Sequence, residues 1–308
     1  MAQGLARAYD LIFDGKSYGL PMRAGGNALF YNKGILEERG ISDKFDTIEQ
    51  VVEAAYKTTF VRSNGDEVYG YAKQGRKSEI PFTVGNWIRT KDGDLITEDL
   101  ELMLTDPRVI EAVNLMKKFF DDGVLPPNFT ALANKDVIDL IKNRRVAFGM
   151  TGPDYGRRFV GEDGLTWDEV GYTNTPPSEA IKSRYPVAAP TLTFQWAFVV
   201  PGNADNVRMS WNFIRYMSSK EGVLNQSLSG NNPVRASVYD MPEYRDGVQF
   251  VEVMRNIFKY GRKLFPGFDS FAEVRDIIGE EMQRVILGEK TAEAAMEAAT
   301  KKAQPLLE

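Results

Sequence analysis

Two extended runs, "YGLPMR" and "ALFYN", lie at Tyr18–Asn32 with only "AGGN" between them, and the second runs straight into "KGILEERG". A Gly-Gly break thus separates a strand-like run from one that opens into a helix. The stretch therefore reads either as a phosphate cradle or as a chain passing between two bodies. Gly15-Lys16-Ser17 just upstream supplies the tail of a phosphate-binding loop. That loop needs G-x-x-x-x-G-K-[ST] between a strand and a helix, and its first glycine would fall at Asp10, where a carboxylate would repel phosphate. Tyr-Gly-Leu-Pro after Ser17 cannot open a helix either, because Pro21 lacks an N–H and restricts Leu20. "DGKS" is a polar turn feeding a short strand.

The chain contains neither His nor Cys. This removes Ser-His-Asp triads, thiol nucleophiles and Cys/His zinc sites, and leaves carboxylate pairs or an all-carboxylate metal site open. No cofactor or metal is implied. With 308 residues, 43% of them hydrophobic and 26% charged, the chain is globular and long enough for two lobes. A net charge of −5 without a long basic run argues against nucleic acid. No apolar run reaches bilayer length, and "MAQGLARAYD" lacks the apolar core of a signal peptide. The expectation is a cytosolic chain or one whose leader is not in this sequence.

Periodicity predicts an α/β chain of many helices and short strands. A helix end is expected over Leu5–Phe13, a short helix from Ile35 closed by Gly40, and a helix after Asp46 or Thr47 with Ile48, Val51, Val52 and Ala55 on one face. Asp106-Pro107 starts a helix that Gly123 ends. "KDVIDLIKNRR" is a helix and "VAFGMTG" a buried strand, with "FQWAFVVPG" a second strand of the same kind. In "DNVRMSWNFIRYMSS", Val207, Trp211, Ile214 and Met217 form the expected inner face. Helices are expected near Tyr244–Lys259, Phe271–Leu287 and Thr291–Leu307.

"DGKSYGLPMRAGGNALFYNKGILEERGI" resembles the lobe-crossing segment of the family 1 extracellular solute-binding proteins of ABC transporters, the relatives of maltose-binding protein. "DLELMLTDPRVIEAVNLMKKFFDDGVLPP", "DVIDLIKNRRVAFGMTGPDY", "NVRMSWNFIRYMSSKEGVLNQSLSGNNPVRAS" and "ILGEKTAEAAMEAATKKAQPLL" follow that family's pattern in order and spacing over nearly the whole chain. The resemblance implies a periplasmic-binding-protein-like α/β fold of type II. In the family, βαβ units of a first lobe precede the crossing segment. The expectation here is a complete second lobe at 27–194 and 232–308, with 1–26 and 195–231 as crossing strands and a remnant of the first. It also implies a small-molecule solute, most simply a saccharide, an ABC permease as partner, and a periplasmic or extracellular, membrane-anchored location. Oligomeric state is left open.

A sugar site needs flat apolar faces and planar polar groups. "IPFTVGNW" offers Phe82 and Trp87 for stacking and Asn86 for hydrogen bonds, although Trp87 equally suits the core. In "TGPDY", Asp154 and Tyr155 stand where the family often has Trp; Asp154 could take paired hydroxyls or a cationic ligand, or serve the turn. "TFQWAFVV" alternates so that Phe194, Trp196 and Phe198 share a face, with Trp196 as the stacking platform. "GNNPVRAS" offers Asn231, Asn232 and Arg235, the last also suited to an inter-lobe or helix-end contact. By family position Phe271 or Phe268 faces the cleft, and Arg23 in the first crossing is a further candidate. Two other functions remain open: a carboxylate-dependent glycosidase joining Asp154 to Glu79 or Asp269, and a lobe whose apolar wall docks another chain.

Overall fold

The computed structural model describes residues 12–13 and 15–307. Strands β1 (Ile12–Phe13) and β2 (Lys16–Ser17) form a small hairpin, with Gly15 at φ +72° in the expected polar turn. The helix end expected over Leu5–Phe13 otherwise lies outside the described residues. β3 (Leu20–Gly26) and β4 (Ala28–Asn32) are separated by Asn27 alone and belong to different sheets.

The main sheet adds β5 (Phe60–Val61), β6 (Glu67–Tyr71), β7 (Val146–Thr151) and β8 (Val170–Thr173) in the order β5-β6-β7-β4-β8. β6 and β7 run parallel and the other pairs antiparallel. Every residue of β4 and β7 is buried, which is why "ALFYN" and "VAFGMT" read as near-continuous apolar runs rather than alternating ones. Helices pack around the sheet with the expected end signals. Thr47 is the N-cap of Ile48–Lys57, and the Gln50 side chain closes the box by accepting from the Thr47 N–H at 3.4 Å, taking the Asp46 N–H as well at 2.7 Å. Asp106 accepts from the Arg108 N–H at 2.9 Å, and Pro107 opens the helix Pro107–Asp121. The C-terminal helices Phe271–Ile286 and Ala292–Ala303 pack on one another and on the helices Ile80–Arg89 and Pro107–Asp121, joining the sheet's core. No helix among the described residues is long and apolar enough to cross a membrane.

Three expectations need correction. "FQWAFVV" is not a second buried sheet strand: β9 (Thr193–Phe198) pairs with β3 in a separate two-stranded ribbon and leaves Phe194 and Trp196 exposed. Tyr244–Lys259 is not one helix but two, Pro242–Gly247 and Val251–Tyr260, because Phe250 takes a left-handed conformation at φ 61°. On the helix Val207–Met217 only Ile214 is buried and Met217 is half-buried; Val207 and Trp211, placed inside by periodicity, are exposed.

A second, smaller core joins Val223 of the helix Lys220–Leu228 to Val238, Tyr239, Tyr244, Val251 and Met254. It straddles position 231/232, so side chains on both sides of that crossing pack as one body there.

Candidate functional site

Three passages of chain meet at the break in "AGGN". In the β3–β9 ribbon Gly26 lies opposite Thr193, Gly25 opposite Phe194, Ala24 opposite Gln195 and Arg23 opposite Trp196. The third passage joins where the Ala24 N–H donates to the Asn232 carbonyl at 3.4 Å. Both glycines are required by close approach. A Cβ on Gly25 would lie 2.2 Å from the Phe194 ring, and one on Gly26 2.2 Å from Ile257 Cγ2 and 3.0 Å from the Leu192 carbonyl. Asn27 fixes the break: its N–H donates to the Leu192 carbonyl at 3.0 Å, its carbonyl accepts from Thr191 Oγ1 at 2.7 Å, and its Nδ2 donates to Asn86 Oδ1 at 2.7 Å.

The crossing gathers polar and aromatic groups from all three passages. The Arg23 guanidinium lies over the Trp196 ring, 3.7 Å from its centroid, and Phe194 meets that ring edge-on at 5.1 Å. One face of Trp196 is thus occupied, and a solute would use the rest of a ring that is 37% exposed. Arg23 also donates to Asn231 Oδ1 at 3.4 Å. From the end of β7, Asp154 accepts from Asn232 Nδ2, also at 3.4 Å. Burial pushes the Asp154 carboxyl above the usual carboxylate range, while Arg23, Asn232 and Arg158 pull the other way. Arg158 itself stacks over Tyr155, 4.5 Å from the ring centre.

These groups lie where the parallel strands β6 and β7 end, the side on which open α/β sheets bind ligands. From the end of β6, Lys73 is pushed down to about 8 by burial, against the pull of Glu79 and Asp154. It shares a small cleft with Gln74, Asn134, Thr151 and Tyr155. Burial likewise raises the Glu79 carboxyl, against Arg76 and Lys73. A larger cavity of about 390 Å³ opens beside the crossing. Asp154, Asn231 and Asn232 line it together with Arg157, Trp167 and Gln249, and Tyr244 and Phe250 complete its apolar wall.

Of the residues singled out in the sequence, Arg23, Asp154, Asn231, Asn232 and Trp196 come together. Tyr155 stands next to them on the smaller cleft. Trp87, which suited a stacking platform or the core, is core: it is 2% exposed and its ring meets Tyr71 at 5.2 Å and Phe119 at 5.6 Å. Asn86 is buried and spends its side chain on Asn27 and on the Phe82 carbonyl, so it braces the crossing. Arg235 donates through Nε to the Ser218 carbonyl at 2.6 Å, a helix-end contact. Phe82 and Phe271 belong to a separate aromatic group with Phe265 and Phe268, centroids 5.3–6.0 Å apart. Asp269 is exposed.

Sequence reasoning missed Lys73, Arg157, Trp167 and Gln249. Two signals were available: Lys73 is the first charged residue after the buried run "VYGYA", and "RR" follows "PDYG" directly.

A family model described as bacterial extracellular solute-binding protein matches residues 2–252, and the chain belongs to that family. A binding protein of Brucella abortus is 25% identical over 300 residues, covering 96% of this chain and 69% of its own, and one of Brucella suis matches equally. Among solved structures, maltose-bound MalE3 of T. maritima aligns at a TM-score of 0.84 and 19% identity, over 97% of this chain and 75% of that one. The GacH receptor of Streptomyces glaucescens aligns at 0.82 and 20%, over 100% and 74%. A solute-binding protein of Agrobacterium radiobacter in complex with ribitol aligns at 0.81 and 19%, over 96% and 72%. The fold is that of the type II periplasmic binding proteins.

Proposed function

We propose that this chain is the solute-binding component of an ABC importer, acting without turnover, and that its solute is a small polyhydroxylated molecule, a saccharide or polyol. The observation that carries this is the convergence of Arg23, Asp154, Asn231, Asn232 and Trp196 from three separate passages of chain, at the ends of the parallel strands and beside a cavity of about 390 Å³. Amide and carboxylate groups suit hydroxyls, and the exposed part of Trp196, with Trp167 and Phe250, suits C–H faces. Neighbouring folds hold maltose and ribitol, which supports the ligand class. Family membership implies a place outside the cytoplasm, where such a chain would hand its solute to a permease. A thermal-shift screen of sugars and polyols tests this. A solute at a hundredfold its dissociation constant adds about 2.7 kcal/mol of stability. A panel that leaves the melting temperature unchanged counts against the proposal, and hydrolysis of chromogenic glycosides that depends on Asp154 would replace it with the glycosidase.

One observation favours a second role, as an interaction module. Met209, Phe213 and Tyr216 share one exposed face of the helix Val207–Met217, each at 53% or more. A self-associating face there would give a concentration-dependent dimer in sedimentation, dissociated by Met209→Asp; a monomer at all concentrations would dismiss it.

A further inference from the structure

The chain leaving β6 is fastened, but its first charged side chain is not. The Gln74 side chain donates to Asn134 Oδ1 at 2.9 Å and the Gln74 carbonyl accepts from Thr83 Oγ1 at 2.6 Å, while the Gly75 carbonyl accepts from Gln283 Nε2 at 2.8 Å. Lys73 stands just before them, half-buried. Among the described residues its ammonium makes no hydrogen bond and no ion pair within 4.0 Å. A half-buried ammonium without a partner costs stability, so its place in the wall needs a reason other than folding. Two carboxylates lie in electrostatic reach, Glu79 and Asp154. The route to Asp154 is short. Tyr71 lies opposite Phe148 in the parallel pair, and the Ala72 N–H donates to the Phe148 carbonyl at 3.1 Å. Lys73 thus leaves β6 beside the end of β7. There Asp154 folds back on Gly152, where an added Cβ would lie 2.2 Å from Asp154 Oδ1. Asp154 lines the larger cavity and Lys73 the smaller cleft, so a solute touching both groups joins the two.

Two groups too far apart for an ion pair, yet close enough to attract, leave room for one atom between them. An oxygen about 2.8 Å from each would span a gap of up to about 5.6 Å. A hydroxyl both donates and accepts, so it satisfies an ammonium and a carboxylate at once. An ammonium in that place would face Lys73, and a carboxylate would face Asp154 and Glu79. We propose that Lys73 is a specificity-determining residue of the solute site: one solute hydroxyl lies between it and Asp154, accepting from the ammonium and donating to the carboxylate, and the solute is an uncharged sugar or polyol. This rests on the proposed solute-binding function and assigns the group by which the same site selects its ligand.

The experiment titrates maltose, ribitol, D-mannitol and D-tagatose, the solutes of neighbouring folds, calorimetrically into the full chain and into Lys73→Met and Lys73→Arg. Each compound that wild type binds should bind Lys73→Met at least about tenfold more weakly, the scale of a hydrogen bond to a charged group. Lys73→Arg keeps charge and donors and should recover at least about threefold of that loss. Added salt should leave the wild-type affinity within about twofold, because the solute carries no charge. Melting curves separate this role from a structural one: Lys73→Met should melt at the same temperature as wild type or higher, since the ammonium lends the fold nothing. Affinity that Lys73→Met leaves within about twofold, Lys73→Arg as weak as Lys73→Met, strong salt dependence, or a lower melting temperature in Lys73→Met would each overturn the inference while the solute-binding proposal stands. No heat from any of the four compounds at about 10 mM would overturn both.

Discussion

Gly25 and Gly26 are adjacent, yet alanine should act very differently at the two. At Gly26 the new methyl would lie 2.2 Å from Ile257 Cγ2 and 3.0 Å from the Leu192 carbonyl. Ile257 is 3% exposed on a helix packed into the core, and the carbonyl is backbone, so neither can move aside cheaply. Overpacking of this kind costs about 1–3 kcal/mol. At Gly25 the obstacle is the Phe194 ring, also 2.2 Å away, but Phe194 is 37% exposed and can swing into solvent. The cost there should stay near 0.5 kcal/mol, the scale of surface changes. Urea denaturation measures both, read as a shift in midpoint at constant slope. A cycle with Ile257→Ala isolates the contact: that variant removes Cγ2, so the pair should cost less than the sum of the singles by about 1 kcal/mol or more. Equal stability of Gly25→Ala and Gly26→Ala, or strict additivity with Ile257→Ala, would refute the account of why the break carries two glycines.

Other substitutions probe other parts of the molecule. Trp196→Ala should weaken solute binding at least tenfold while leaving the fold intact, because the ring is 37% exposed; unchanged affinity by calorimetry would remove Trp196 from the site. Asp154→Asn should stabilise the chain at neutral pH. Its folded carboxyl is raised by burial, so the penalty applies above that raised value and vanishes once the group is protonated in both states; a variant less stable at pH 7 would contradict this. Glu281 is fully buried and accepts from Lys290 and Lys302, both at 2.7 Å; burial works to raise its carboxyl, and the two lysines outweigh it and hold it below 4.5. Glu281→Gln should cost about 2 kcal/mol at pH 7, a difference that shrinks as pH falls below 4.5 and wild type protonates; a pH-independent difference in melts would show that packing, not charge, is responsible.

The fold was largely legible because its signals are local. Asp106-Pro107 marks a helix start, and the apolar runs "ALFYN" and "VAFGMT" mark strands, directly. The failures arose where burial depends on what lies elsewhere. Periodicity gave the helix Val207–Met217 an inner face, but it cannot say whether a partner surface exists, and Trp211 is exposed. Trp87 and Trp196 look alike in sequence, yet one packs against Tyr71 and Phe119 and the other under Arg23 at a crossing. The candidate site was half legible. Passages that cross can be recognised, which brought Arg23, Trp196, Asn231 and Asn232 into view, and the loop "TGPDY" after a buried strand brought in Asp154. Arg157, Trp167 and Gln249 meet only through tertiary packing across the small core, which no spacing along the chain encodes.

The most direct measurement is a calorimetric titration of the most stabilising sugar or polyol into the wild-type chain and into Asn232→Ala. Asn232 is 2% exposed, bonds Asp154 through its side chain and Ala24 through its backbone, and lines the cavity. The expected result is saturable binding at one site in wild type, lost or weakened at least tenfold in a variant that still folds. Saturable binding that Asn232→Ala leaves unchanged, or no binding by wild type at all, would contradict the claim that the crossing forms the solute site.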